Sequence, residues 1–81
     1  MKGNNDLPIY AIKFKRFRLS KGLTQEGMGK ILGLSMMTIA AYEQGIRRPK
    51  DKTMHVMHEK LGLDIYDIFF NEELEELPCQ K

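Results

Sequence analysis

A single cysteine, Cys79, stands in this chain of 81 residues, two positions from its end. It has no partner for an internal disulfide, and no cysteine-based zinc motif can be assembled, so a reducing compartment is the natural setting. Apolar runs are short as well. None approaches the roughly 20 residues that cross a bilayer, and residues 1–6 lack the apolar run, about 7–15 residues long, of a secretory leader. The sequence therefore predicts a cytoplasmic protein. Strand signals are missing too: nowhere do β-branched or aromatic residues alternate with polar ones over a strand's length. No nucleophile–base pair and no phosphate-cradling glycine loop is recognisable. A domain this small buries only about 60% of the surface that its unfolded chain exposes, which leaves little room for a deep catalytic pocket. The expectation is a protein that is not an enzyme and uses no cofactor.

What is present is charge, unevenly placed. The net charge is only +2. Residues 10–52, however, hold ten Lys or Arg against three acids (Glu26, Glu43, Asp51), a net +7. Residues 59–81 hold two Lys against seven acids, a net −5. A basic body with an acidic tail suits a polyanionic partner for the body, although solvated lysines on an ordinary surface give the same count.

Helix punctuation fills the chain. The first helix is expected from about Leu7 to Lys21, capped by Asn5 or Asp6, with Pro8 in its first turn. Tyr10, Phe14 and Phe17 fall at i, i+4 and i+7 and form its apolar face, and Gly22 ends it. Thr24 caps a second helix, with Glu26 in the first turn and Met28, Ile31 and Leu32 on the buried side; Gly33 stops it. Ser35 caps a third helix, in which Ile39 and Tyr42 point inward and which Gly45 terminates. After the Pro49 loop, a fourth helix from about Asp51 to Leu61 carries Met54, Met57, His58 and Leu61 on one face, and Gly62 closes it. Asp64 caps a fifth, from Ile65 to about Phe70. Phe70, Leu74 and Leu77 continue its helical spacing until Pro78. The fold class is all-α, a compact five-helix domain over residues 9–70, with an arm over 1–8 and an acidic tail over 71–81.

The stretch from Leu23 to Gly45 (LTQEGMGKILGLSMMTIAAYEQG) carries the information. It resembles the helix-turn-helix of the phage repressor/Cro family, the XRE-type regulators. The resemblance covers roughly Tyr10 to Phe70 without a gap. Arg18 to Gly22, the Arg47-Arg48-Pro49 loop and Leu61-Gly62-Leu63 also look like that family. Each position has a physical counterpart. Two helices crossing near a right angle need a small residue at the approach (Gly29) and a residue tolerant of positive φ in the turn (Gly33). Leu34, Ile39 and Tyr42 then anchor the second of the pair, leaving its other face free for the major groove.

The resemblance implies a lambda-repressor-like domain in which helices 2 and 3 form the DNA-binding element, the partners being double-stranded DNA and a second copy of the chain. It also implies an ion pair between Arg18 and Glu43, tying helices rather than reading DNA. Thr24 and Gln25 match family positions that touch phosphate at a helix N-terminus. Arg47, Arg48 and Lys50 are further phosphate candidates after the recognition helix, with Lys30 and Lys52 beside them. Base or groove contacts would fall to Ser35, Met36, Met37, Thr38, Ala41 and Gln44. A homodimer on a palindromic operator, with half-sites about 34–36 Å apart, would form through Phe70, Leu74 and Leu77. Repression is the expected mode, because no activation surface can be identified.

The recognition helix departs from the pattern. Only Ser35, Thr38 and Gln44 can hydrogen-bond a base edge, and no arginine offers a fork to guanine. Two readings stay open. Either the protein reads an A·T-rich or deformable site through methyl contacts, Gln44 and DNA shape, or the apolar helix docks a protein, as an antitoxin-like or adaptor module would. Gly27, inside helix 2 with no evident packing role, predicts that Gly27→Ala stabilises the protein. His55 and His58, with Glu59 beside them, lack a third metal ligand; no metal is expected, and His58 reads as a partly buried structural histidine.

Overall fold

The computed structural model describes residues 7–74. Five helical elements follow one another: α1 (Ile9–Ser20), α2 (Gln25–Leu32), α3 (Met36–Glu43), α4 (Asp51–Leu61) and a short π-type turn, α5 (Tyr66–Phe70). No strand occurs among the described residues. The core collects Phe14 of α1, Met28 and Leu32 of α2, Ile39 and Tyr42 of α3, Met54 and Met57 of α4, then Leu63, Ile68 and Phe69. Phe14 stands edge-on to Tyr42, with ring centroids 5.7 Å apart, the favoured arrangement for a ring pair.

The helix boundaries follow from caps. Thr24 Oγ1 accepts the Gly27 N–H at 2.9 Å, and Ser35 Oγ accepts the Thr38 N–H at 3.1 Å. Each satisfies a donor that the first turn cannot pair internally. Asp64 does the same for α5, its carboxylate accepting the Asp67 N–H at 3.1 Å. Gly33 and Gly45 have φ of +74° and +73°, the left-handed conformation that a side chain disfavours.

Close approach adds a second demand. A β-carbon at Gly45 would overlap the Pro8 ring, and one at Gly29 would overlap the Leu34 carbonyl oxygen. Gly29 is therefore the point where α2 meets the entry to α3, and a backbone atom is what it meets.

Several expectations need correction. Helix α1 begins at Ile9, not Leu7, because Pro8 is extended (φ −61°, ψ 152°) and serves as the N-cap. The cap expected at Asn5 or Asp6 lies outside the described residues. On α1 the deepest positions are Ala11 and Phe14, while Tyr10 and Phe17 pack on the core from its margin. Ile31 is 38% exposed, since Met28 and Leu32 already span the inward arc of an eight-residue helix. His58 is exposed rather than inward, because the inner face of α4 is centred on Met54 and Met57. Its Nδ1 lies 3.0 Å from the Leu63 carbonyl oxygen, at the end of the helix. Gly27 does have a neighbour: an added β-carbon would sit 3.1 Å from Thr24 Oγ1.

The C-terminal end of the described residues differs most. In α5 the Asn71 N–H bonds the Tyr66 carbonyl at 2.9 Å, an i→i−5 closure, and Asn71 is then extended (φ −102°, ψ 112°). Phe70 and Leu74 consequently do not share a helical face, and Leu77 lies outside the described residues.

Two side chains from elsewhere, Lys13 and Arg48, bond α5 in place. Lys13 Nζ donates to the carbonyls of Asp67 and Asn71, both at 2.9 Å, and lies 3.5 Å from the Asp67 carboxylate. Arg48 donates to the Phe69 carbonyl at 2.8 Å. Tyr10 joins α1 to the loop after α3, its hydroxyl donating to the Arg47 carbonyl at 2.8 Å. Burial pushes the Tyr10 hydroxyl pKa above its usual value, and the nearby Arg48 charge opposes that rise. A short turn leaves carbonyls unpaired, and cations are suited to them.

Candidate nucleic-acid interface

A buried ion pair joins α1 to the α2–α3 pair. Arg18 Nε donates to Glu43 Oε2 at 2.6 Å and Nη2 to Oε1 at 3.2 Å. Nη1 donates to the Leu23 carbonyl at 2.7 Å. One guanidinium thus fixes α1, the turn before α2 and the end of α3. Both residues are buried, at 7% and 6% exposure, a setting in which each charge depends on the other.

Gln25 opens α2 beside this pair. Its side-chain Nε2 donates to Glu43 Oε1 at 3.1 Å, so the first residue of α2 is oriented by the last residue of α3. Between α1 and these helix ends runs a half-open groove of about 340 Å3, with Gln25, Glu43 and Gln44 on one side and Ala11, Ile12, Lys15, Arg16 and Leu19 on the other. Lys15 and Arg16 were visible in the sequence only as part of the positive count. Their position on this groove depends on how α1 crosses α2 and α3, and no local motif encodes that.

The residues expected at phosphates separate into groups. Thr24, Arg47 and Lys50 are exposed around α2 and α3. Thr24 is occupied as a cap. Lys30 is exposed and lies 3.9 Å from Glu26, one helical turn away. Lys52 is exposed in the first turn of α4. Arg48 is used differently: its guanidinium carbon lies 5.3, 5.7 and 5.1 Å from the ring centroids of Tyr10, Phe69 and Phe70. Its charge is spent on aromatic faces and a carbonyl of α5, a role that sequence spacing did not reveal.

Along the outward side of α3, Met36 is 50% exposed and Met37 77%. The Ser35 and Thr38 hydroxyls lie 3.0 Å apart and face each other. Ala41 is half-buried, and Gln44 is exposed at the C-terminal cap. The candidate base-contacting residues are thus exposed or half-buried along the outer strip of α3 and its caps, while Ile39 and Tyr42 lie in the core.

Phe70, the last residue of α5, is 53% exposed, and Leu74, beyond the end of the helix, is 36% exposed. Among the described residues no group of three or more His, Cys, Asp or Glu could hold a metal ion. No described helix is long and apolar enough to cross a membrane.

The helix-turn-helix family model matches residues 14–68, from Phe14 in α1 to Ile68 in α5. The chain is also similar to an uncharacterized HTH-type transcriptional regulator of Methanocaldococcus jannaschii. The two are 40% identical over 61 residues, which is 75% of this chain and 92% of that protein. With the family model spanning more than half of the sequence, from α1 to α5, the chain belongs to the helix-turn-helix family.

Proposed function

We propose that the protein is a double-stranded DNA-binding transcriptional regulator that places α3 in the major groove. The observation that carries this reading is the division of α3 itself. One side is locked into the core by Ile39 and Tyr42, the other is open, and exposed cations stand around it. The M. jannaschii relative, an HTH-type transcriptional regulator by name, points the same way.

In this proposal Thr24 and Gln25 meet one phosphate at the N-terminus of α2, where the helix dipole favours an anion. Lys30, Arg47 and Lys50 meet others, and Arg48 contributes least because it is engaged with α5. Ser35, Met36, Met37, Thr38, Ala41 and Gln44 face the bases. A homodimer on a palindromic operator, with half-sites about one DNA turn apart, extends the proposal. Phe70 and Leu74 are exposed apolar groups that would serve it, with Leu77 beyond the described residues, and repression by occupancy is its mode.

A gel-shift titration at several salt concentrations tests the reading. Each phosphate neutralised contributes a slope of about −0.9 in log K against log salt, so a dimer using Lys30, Arg47 and Lys50 in both protomers gives a slope of about −5. No binding at low salt would refute it. A protein-interaction module is favoured by one observation, the exposure of Met36 and Met37; copurification of a stable partner would support that alternative.

A further inference from the structure

Helix α3 presents unusual chemistry for base reading. A recognition helix meets base edges chiefly with its N-terminal residues, and here those are Met36 and Met37, at 50% and 77% exposure. Neither can donate a hydrogen bond to a base. The two hydroxyls nearby are already paired: Ser35 Oγ and Thr38 Oγ1 are 3.0 Å apart, and Ser35 Oγ also accepts the Thr38 N–H. Gln44, the one amide on the strip, stands at the far end of the helix.

In the major groove the base pairs present donors, acceptors and one apolar group, the C5 methyl of thymine. A flexible, polarisable thioether is suited to that group. The surroundings argue against a protein occupant. Exposed Arg47, Lys50 and Lys52 follow the helix and Lys30 precedes it, and these cations complement phosphates rather than an apolar protein surface.

We propose that Met36 and Met37 select binding sites through pyrimidine C5 methyl groups, so that sequence is read at these two positions by apolar contact instead of hydrogen bonding. The inference rests on the DNA-binding reading above and specifies what that site recognises.

The test uses the full chain and a duplex recovered by selection from a random DNA pool. Thymines are replaced one at a time by deoxyuridine, which removes the methyl and leaves the pairing edge intact, and affinity is read by fluorescence anisotropy. Binding is expected to weaken about fourfold at each contacted position, the factor given by the transfer free energy of one buried methyl group. Exchanging a contacted T·A pair for C·G should weaken binding too, and methylating that cytosine at C5 should recover part of the loss. In a Met36→Ala/Met37→Ala variant, whose folding is checked by its melting curve, the deoxyuridine penalty should fall toward unity.

Equal affinity for thymine and deoxyuridine at every position would overturn the proposal without help from any variant. So would a pool that binds at low salt but enriches no sequence, an outcome that leaves DNA binding itself intact. Absence of all DNA binding at low salt would overturn both readings, and a copurifying protein would then assign the apolar strip to a protein partner.

Discussion

The α2–α3 pair and the α1–α5 contact share one small core but are secured by different chemistry. The pair is shaped by local devices and joined by the Gln25–Glu43 bond. Thr24 and Ser35 cap their own helices, Gly33 turns the chain, and Gly29 lets backbone meet backbone. The α1–α5 contact is held from a distance. Lys13 reaches the carbonyls of Asp67 and Asn71, and Arg48 lies over three rings and bonds Phe69. The first arrangement sets how α2 meets α3, and the second fastens a short turn that could not persist alone. Positive charge is used in opposite ways as a result. Around α3 it stays exposed, whereas at α5 it satisfies carbonyls and covers aromatic rings.

Breaking the joint that ties α1 to the α2–α3 pair should have the largest effect. Arg18→Met leaves Glu43 buried without its cation and is expected to cost about 3–5 kcal/mol, a large share of the ~5–15 kcal/mol that holds a domain together. Urea unfolding should show a lower midpoint. DNA affinity, measured where the variant remains folded, should change less than stability does.

Next in size is Gly29→Ala, which breaks the α2–α3 side alone. The new β-carbon collides with the Leu34 carbonyl oxygen, and overpacking of this kind costs about 1–3 kcal/mol. Calorimetry should show a reduced Tm.

Arg48→Ala tests the other side and should cost about 1 kcal/mol, the scale of an exposed cation–π contact. Its signature is local: amide exchange should speed up in Ile68, Phe69 and Asn71 but not in α2 or α3. Uniform acceleration would mean that the two regions are not separately secured.

The smallest effect is expected from Gly27→Ala. Helix propensity favours alanine by about 0.5–1 kcal/mol, but the new methyl would press on Thr24 Oγ1 at 3.1 Å. The cap must give by a few tenths of an ångström. The net gain should be only a slight rise in Tm, and a fall would show that the cap cannot yield.

The same contrast explains what could be read in advance. Thr24, Ser35, Asp64 and the glycines act within a few residues of themselves, so spacing alone located α2, α3 and the start of α5. Met54 and Met57 followed from helical periodicity. Gln25 stands out through its match to a family position at a helix start, but its bond to Glu43 joins residues 18 positions apart. Ile31 and His58 fitted the period and still came out exposed, because periodicity gives a face and not the width of the surface that covers it. Phe70 and Leu74 fitted it too, and the π-type closure at Asn71 ended the helix between them.

By itself the sequence determined the all-α class, most helix limits, the helix-turn-helix and the concentration of positive charge upon it, because caps, positive-φ glycines and apolar spacing are local properties. Tertiary structure decided which of those charges remain free. Arg18 and Arg48 are one residue type in one basic stretch. One is buried against Glu43, and the other lies over the rings of Tyr10, Phe69 and Phe70. An arginine's role depends on partners that only the packing of distant helices brings within reach.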